Sequence, residues 1–197
     1  QVPAQTTPDL SRAQVEGMFE QRLSEAFEAL GCFNLAVFGK TGVGKSTLVN
    51  AIFGEAVAAT GIGRPVTQGS HLYVHRTGKL GIYDTQGLEV GRDTDRMIGE
   101  LQRFIDHSRT MPFHEQVHLA WYCVRASDRR FEDTEAAFIR KLAELELPVV
   151  LVMTQVPGRR DPAGRLHIAP DARELADQIA AQHLPVFEGR PVLVNAV

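Results

Sequence analysis

Cysteine is almost missing from this chain: Cys32 and Cys123 are the only two in 197 residues. Two are too few for a disulfide framework. Both fall at or in predicted core strands, which reads as two buried reduced thiols. A dominant charge is lacking too. A net charge of −3 with a pI near 6.2 supplies no general basic field, so DNA is not an expected partner. The local arginine groups (Arg125, Arg129, Arg130; Arg159, Arg160, Arg165) read as solvated loop faces. No apolar run approaches the ~20 residues of a membrane-spanning helix. Nor does a charged-then-apolar leader open the chain, so a cytoplasmic location is the expectation. Internal repeats and low-complexity tracts are also missing.

What is present is 44% apolar residues, enough to bury one core without covalent staples. Gln1 opens a polar, proline-containing tail, and Val197 follows a strand-like run directly; the expectation is a domain excised from a longer protein. Residues 1–13 read as a flexible tail. Residues 14–31 read as an amphipathic helix, since Val15, Met18, Phe19, Leu23, Phe27 and Leu30 recur at three- and four-residue spacing. Residues 32–197 form the main domain.

Its first part carries a dense chemical signal. Gly39, Lys40, Thr41, Gly42, Val43, Gly44, Lys45 and Ser46 spell a complete phosphate-binding loop, G-x-x-x-x-G-K-[ST]. An apolar strand-like run (Phe33, Leu35 to Phe38) precedes it, and a helix-competent stretch from Thr47 to Phe53 follows. Strand, glycine loop and helix in that order aim backbone N–H groups and a helix N-terminus at phosphate. Lys45 would reach the β- and γ-phosphates, and the Ser46 hydroxyl would hold Mg²⁺.

The remaining elements alternate. Residues 54–70 read as a long loop, and His71 to Arg76 and Leu80 to Tyr83 as a hairpin turning at Thr77-Gly78-Lys79. A helix at 93–108 with Met97, Leu101, Phe104 and Ile105 on one face leads to a strand at 117–124. Helix 131–145, strand 149–153, a polar loop 155–170, helix 171–183 and strand 192–194 complete the set. This pattern predicts an α/β fold: a mostly parallel six-stranded sheet with one antiparallel edge strand and helices on both faces. The ligand is then expected beyond the carboxyl ends of the strands.

A second motif, Asp84-Thr85-Gln86-Gly87, stands at such a strand end. The Asp84 carboxylate would hold Mg²⁺ and the Gly87 N–H would meet the γ-phosphate. Between the motifs, Thr67 in Gly63-Arg64-Pro65-Val66-Thr67 is favoured over Thr60 to put its hydroxyl on Mg²⁺ and its N–H on the γ-phosphate. The catalytic set is therefore Lys45, Thr67 and Gly87, and the metal set is Ser46, Thr67 and Asp84.

Together GKTGVGKST, the Pro-Val-Thr loop and Tyr-Asp-Thr-Gln-Gly-Leu-Glu resemble the Era/TrmE-like branch of the P-loop GTPases, in particular its bacterial 50S-ribosome-binding domains. The glycine loop is also similar to those of septins and immunity-associated GTPases. The resemblance covers about residues 33 to 197. It implies a Ras-like fold, guanine nucleotide (GTP and GDP) as ligand, Mg²⁺ dependence and GTP hydrolysis, and by analogy a nucleotide-dependent homodimer. Ribosome, RNA or membrane association it leaves open.

Three positions depart from that pattern. The guanine-reading motif, Asn or Thr-Lys-x-Asp, falls on Thr154-Gln155-Val156-Pro157, with glutamine for the lysine and proline for the aspartate. Asp161 is the nearest acid a rearranged loop could offer in its place. The last base-contacting motif falls on Asn195-Ala196-Val197, where the Ala196 N–H would meet the base. The water-orienting glutamine is replaced by Leu88, so hydrolysis is expected to be slow. The position of a potassium-binding asparagine is Gly42, which offers no ligand. These departures keep two alternatives open: an interaction module with little or no hydrolysis, and a P-loop ATPase or kinase. His114-Glu115-Gln116-Val117-His118 also matches H-E-x-x-H, but Pro112 before it and the strand-like run after it are wrong for a zinc-binding helix.

Overall fold

The computed structural model describes residues 31–53, 64–67, 70–75, 77–85, 94–128, 130–163 and 166–194, with positions 21, 25, 28 and 29. Those four positions, within the predicted helix 14–31, are helical, and Gln21 bonds Glu25 at 2.9 Å.

Strand β1 (Phe33–Gly39) organises the domain. Successive side chains of a strand point to opposite faces. Ala36 and Phe38 accordingly enter one buried cluster, Leu35 and Val37 another. A strand buried on both faces must be nearly all apolar, and β1 is. It lies between β4 (Leu80–Asp84) and β5 (Leu119–Arg125), parallel to both. Beyond β5 come β6 (Val149–Thr154) and β9 (Val192–Leu193), also parallel. On the other side β3 (Ser70–Val74) runs antiparallel to β4.

The α/β architecture read from the sequence holds, with seven strands where six were expected. The extra one is β2 (Arg64–Thr67), paired antiparallel to β3 inside the segment read as loop. It forms the edge, so the antiparallel β3 is second from the edge. Pro65 is tolerated in β2 because an edge strand has one side without ladder partners. The polar segment 155–170 likewise contains a small separate hairpin, β7 (Gly158–Arg160) with β8 (Leu166–Ile168).

Helix α1 (Lys45–Phe53) packs Leu48 and Val49 against Leu35, Val37, Ile82 and Val152 on one face. On the other, α2 (Thr94–Arg109) contributes Met97, Leu101, Phe104 and Ile105, as its periodicity predicts. Helix α3 (Asp133–Glu144) adds Phe138, Ile139 and Leu142, and α4 (Pro170–Ala180) adds Leu175 and Ile179. Phe38 is central to this face. It meets Phe138 at 5.1 Å and Phe104 at 6.5 Å between ring centroids, both edge-on.

At the amino end of β1, Asn34 is fully buried. Its amide donates to the His114 and Gln116 carbonyls at 2.8 and 3.0 Å, and its oxygen accepts from the Cys32 thiol at 3.2 Å. Gly81 lies opposite in register, where an added Cβ would stand 2.1 Å from Asn34 Oδ1. Gly81→Ala should lower stability by about 1–3 kcal/mol in urea unfolding. The penalty should shrink when measured in an Asn34→Ala background; an equal penalty there would show that the crowding lies elsewhere.

Candidate functional site

The loop after β1 owes its shape to close backbone approach. Gly39 has φ +140, and a Cβ there would lie 2.4 Å from the Cys123 carbonyl oxygen. Only glycine lets the chain turn so tightly over β5. The turn brings the chain to α1, whose first helical bond runs from the Leu48 N–H to the Gly44 carbonyl at 2.9 Å. Lys45 folds back across the loop, its ammonium donating to the Gly39 and Lys40 carbonyls at 2.9 and 2.7 Å.

The loop borders a cleft of about 500 Å³. Lys45, Ser46 and Thr47 line it from the helix start, Asp84 and Thr85 from the end of β4, and Gln155 from the end of β6. Pairing of β1 with β4 sets Asp84 beside Val37 in register. The buried Thr85 hydroxyl donates to the Val37 carbonyl at 2.9 Å and pins the chain just beyond Asp84. The structure thus brings the predicted phosphate loop and the predicted metal ligands Ser46 and Asp84 to one cleft. Tyr73 of β3, which carries no sequence signal, also lines it.

Thr67 ends β2, opposite Ser70 across an irregular ladder. Thr60, Gln86, Gly87, Leu88, Asn195 and Ala196 lie outside the described residues. Thr154 is buried, and its hydroxyl bonds the Val43 carbonyl and, at 3.2 Å, the Val124 carbonyl. It therefore stitches the loop to β5 and β6. Gln155, at φ +53, places its Nε2 3.1 Å from where a Cβ on Gly44 would stand.

Lys40 faces away from Lys45. Its ammonium contacts the Glu132 and Glu135 carboxylates at 3.0 and 3.1 Å. Glu135 is only 2% exposed and also accepts from the Tyr122 hydroxyl (3.3 Å) and the Glu132 N–H (2.9 Å). Burial opposes the Lys40 charge, but hydrogen bonds and charge from both carboxylates hold its ammonium above the usual range. The signal for this partnership was the E-x-x-E spacing of a capping box at 132–135. Nothing in the sequence linked it to Lys40. Burial likewise raises the Cys123 thiol to about 12, in keeping with an inert core residue.

The H-E-x-x-H segment is a 3₁₀ turn (Phe113–Glu115) running into extended chain. His118 Nδ1 accepts the Asn34 N–H and Nε2 donates to the Phe113 carbonyl, both at 2.9 Å, and the ring stacks on Phe33. Both ring nitrogens are thus engaged with backbone groups.

Fold and glycine loop together define a P-loop α/β domain of the Ras-like fold class. Residues 34–155 match the 50S ribosome-binding GTPase family, and the chain belongs to that family. It is 31% identical over 131 residues to the GTPase Era of Xanthomonas oryzae pv. oryzae, covering 65% of this chain and 41% of that protein. Identity to the GTPase Era of Ectopseudomonas mendocina is 25% over 158 residues, 79% and 49% of the two chains. The chain therefore spans less than half the length of these relatives. In structure it is similar to Toc33 from Arabidopsis thaliana in complex with Mg²⁺ and GMPPNP (TM-score 0.57, 17% identity, 96% of this chain and 81% of that one). It is also similar to a probable GTP-binding protein EngB (TM-score 0.54, 18% identity, 83% and 89%). At these identities the structural likeness establishes the fold alone.

Two outcomes follow from the geometry. Lys40→Met strands the buried Glu135 carboxylate and should cost about 1–3 kcal/mol in denaturant unfolding, with much of the loss recovered when Glu135→Gln is added. Desolvation lowers the His118 pKa from its ordinary 6.5, against the pull of the Phe113 carbonyl. The unfolded chain then binds the extra proton first. Stability should be full above about pH 6.5, fall as pH drops toward the lowered folded value, and level off below it. Unfolding midpoints across that window should lose their slope in His118→Asn.

Proposed function

We propose that residues 32–197 are a Mg²⁺-dependent GTP-binding domain that hydrolyses GTP slowly to GDP and changes conformation with the bound nucleotide. The convergence of Lys45, Ser46 and Asp84 on one cleft at the carboxyl ends of β1 and β4 carries this reading. Loop amides and the α1 N-terminus would hold the phosphates, with the Lys45 ammonium moving from its loop carbonyls onto the β- and γ-oxygens. A serine hydroxyl and a carboxylate are hard oxygen donors of the kind Mg²⁺ prefers, so the residues fit that ion. When bound, Mg²⁺ would neutralise charge on the phosphates. Thr67 and Gly87 are the proposed γ-phosphate contacts, on the segments leading into β3 and out of β4.

Slow turnover follows from Leu88, whose apolar side chain cannot orient the attacking water. A group supplied by a second copy would compensate. One of the similar structures is described by the statement that dimerisation is important for the GTPase activity of atToc33 and psToc159, which supports asking the same of this chain. The second reading, an interaction module that binds nucleotide without hydrolysing it, draws on the same Leu88.

Calorimetric titration with Mg²⁺ should give GTP and GDP binding that Lys45→Ala weakens by on the order of 100-fold or more, through loss of charge-assisted hydrogen bonds. Retained affinity in that variant would sink the assignment. Single-turnover hydrolysis should run below about 10⁻⁴ s⁻¹, the order reached by an unassisted Ras-type site that has its glutamine. A rate that climbs with protein concentration would mark the homodimer, and no product over days would favour the interaction module.

A further inference from the structure

The same cleft says something about which base it accepts, on the reading that it holds a nucleotide. Ser46 and Asp84 fix the phosphate end near β4. In the sheet β6 stands beyond β1 and β5, and its end delivers Gln155 against Gly44 at the opposite wall. A nucleoside running from the phosphates along the loop therefore points its base at residues 155–157.

What these residues can offer is limited. Gln155 brings a neutral carboxamide, able to serve as donor or acceptor. Val156 is buried, its N–H bonded to the Val194 carbonyl at 3.2 Å. Pro157 has no N–H and no polar side chain, and its carbonyl accepts the Ala169 N–H at 3.0 Å, closing the β7–β8 hairpin. The next acid, Asp161, is at the far turn of that hairpin. There its carboxylate accepts the Ala163 N–H at 2.9 Å and contacts His167 Nε2 at 3.1 Å. Among the described residues lining the cleft the one carboxylate is Asp84, at the phosphate end.

A carboxylate is the group that reads the 2-position of a purine. Guanine donates N1–H and the 2-amino group to its two oxygens. Hypoxanthine lacks the 2-amino group, and xanthine presents an oxygen that a carboxylate repels. Without that carboxylate the three bases lose their main difference at this edge. We propose that the site is blind to the 2-substituent of a 6-oxopurine nucleoside triphosphate, binding GTP, ITP and XTP nearly equally.

Competition of GTP, ITP and XTP against a fluorescent GTP analogue, with Mg²⁺ and the intact chain, tests this. Affinities within about threefold of one another are expected. A site with a base-reading carboxylate would favour GTP over ITP by roughly ten- to a hundredfold, the worth of one charge-assisted hydrogen bond. A GTP preference above about tenfold would overturn this inference and leave the nucleotide-binding reading standing. Failure of all three to bind would overturn that reading, and this one with it. Asp161→Asn should leave GTP affinity within about twofold; a tenfold loss would mean that the hairpin supplies the carboxylate.

Discussion

The contact between Gly39 and the Cys123 carbonyl sets the geometry on which the rest of the site depends. Strand β1 is central in the sheet, so the loop leaving it must pass over the end of β5 without lifting from it. The space a side chain would need is filled by backbone of the neighbouring strand. Because the chain hugs the sheet there, Lys45 lies close enough to return its ammonium to the Gly39 and Lys40 carbonyls. Thr154 secures the opposite rim by bonding the loop at Val43. The loop is thereby tied to β5 and β6 as well as to its own helix, and phosphate would meet amides already in place rather than amides that must be ordered on binding.

Charge is arranged in two layers around this loop. Lys45 addresses the cleft, whereas Lys40 turns to Glu132 and Glu135 at the start of α3. A carboxylate as buried as Glu135 requires compensation. It receives the lysine, the Tyr122 hydroxyl, a backbone N–H and the positive end of the α3 dipole. The first turn of the loop is therefore anchored to α3 through a side chain whose motif position alone suggested a ligand contact.

How much of this was legible in the sequence depended on whether the signal was local. The apolar run of β1, the 3.6-residue repeat of α2 and the glycine-lysine loop each lie within one element, and each appears in the structure where the pattern put it. Strand β2 was hidden because Gly63 and Pro65 suppress a strand reading, while an edge strand accepts proline. The β7–β8 hairpin was hidden because its strands are three residues long and polar. In hindsight Asp161-Pro162-Ala163-Gly164 is a turn signal of the type I kind. The partnership of Lys40 with Glu135 spans 95 positions and has no periodic trace, so only the folded chain reveals it. Asn34 is similar: a polar residue in an apolar strand, whose buried amide makes sense only once the 113–118 segment is laid beside it.

The two ends of the cleft are built from different materials, and this explains how one can change without the other. Phosphate would be held by backbone amides, a helix start and a lysine, all consequences of the β1-to-α1 turn that the core itself enforces. The proposed base end would rest on side chains from the segment after β6, which the core constrains only as far as Thr154 and Val156. Beyond Val156 the chain leaves the sheet for the β7–β8 hairpin, and Pro157 serves that departure by accepting the Ala169 N–H at its root. That bond uses only the backbone carbonyl, so the lack of an acid at this position comes from the proline side chain itself. Where the chain turns into the hairpin, the residue facing the base end therefore offers a ring without a polar side-chain atom, and the altered motif is a change of side chain on an unchanged backbone bond.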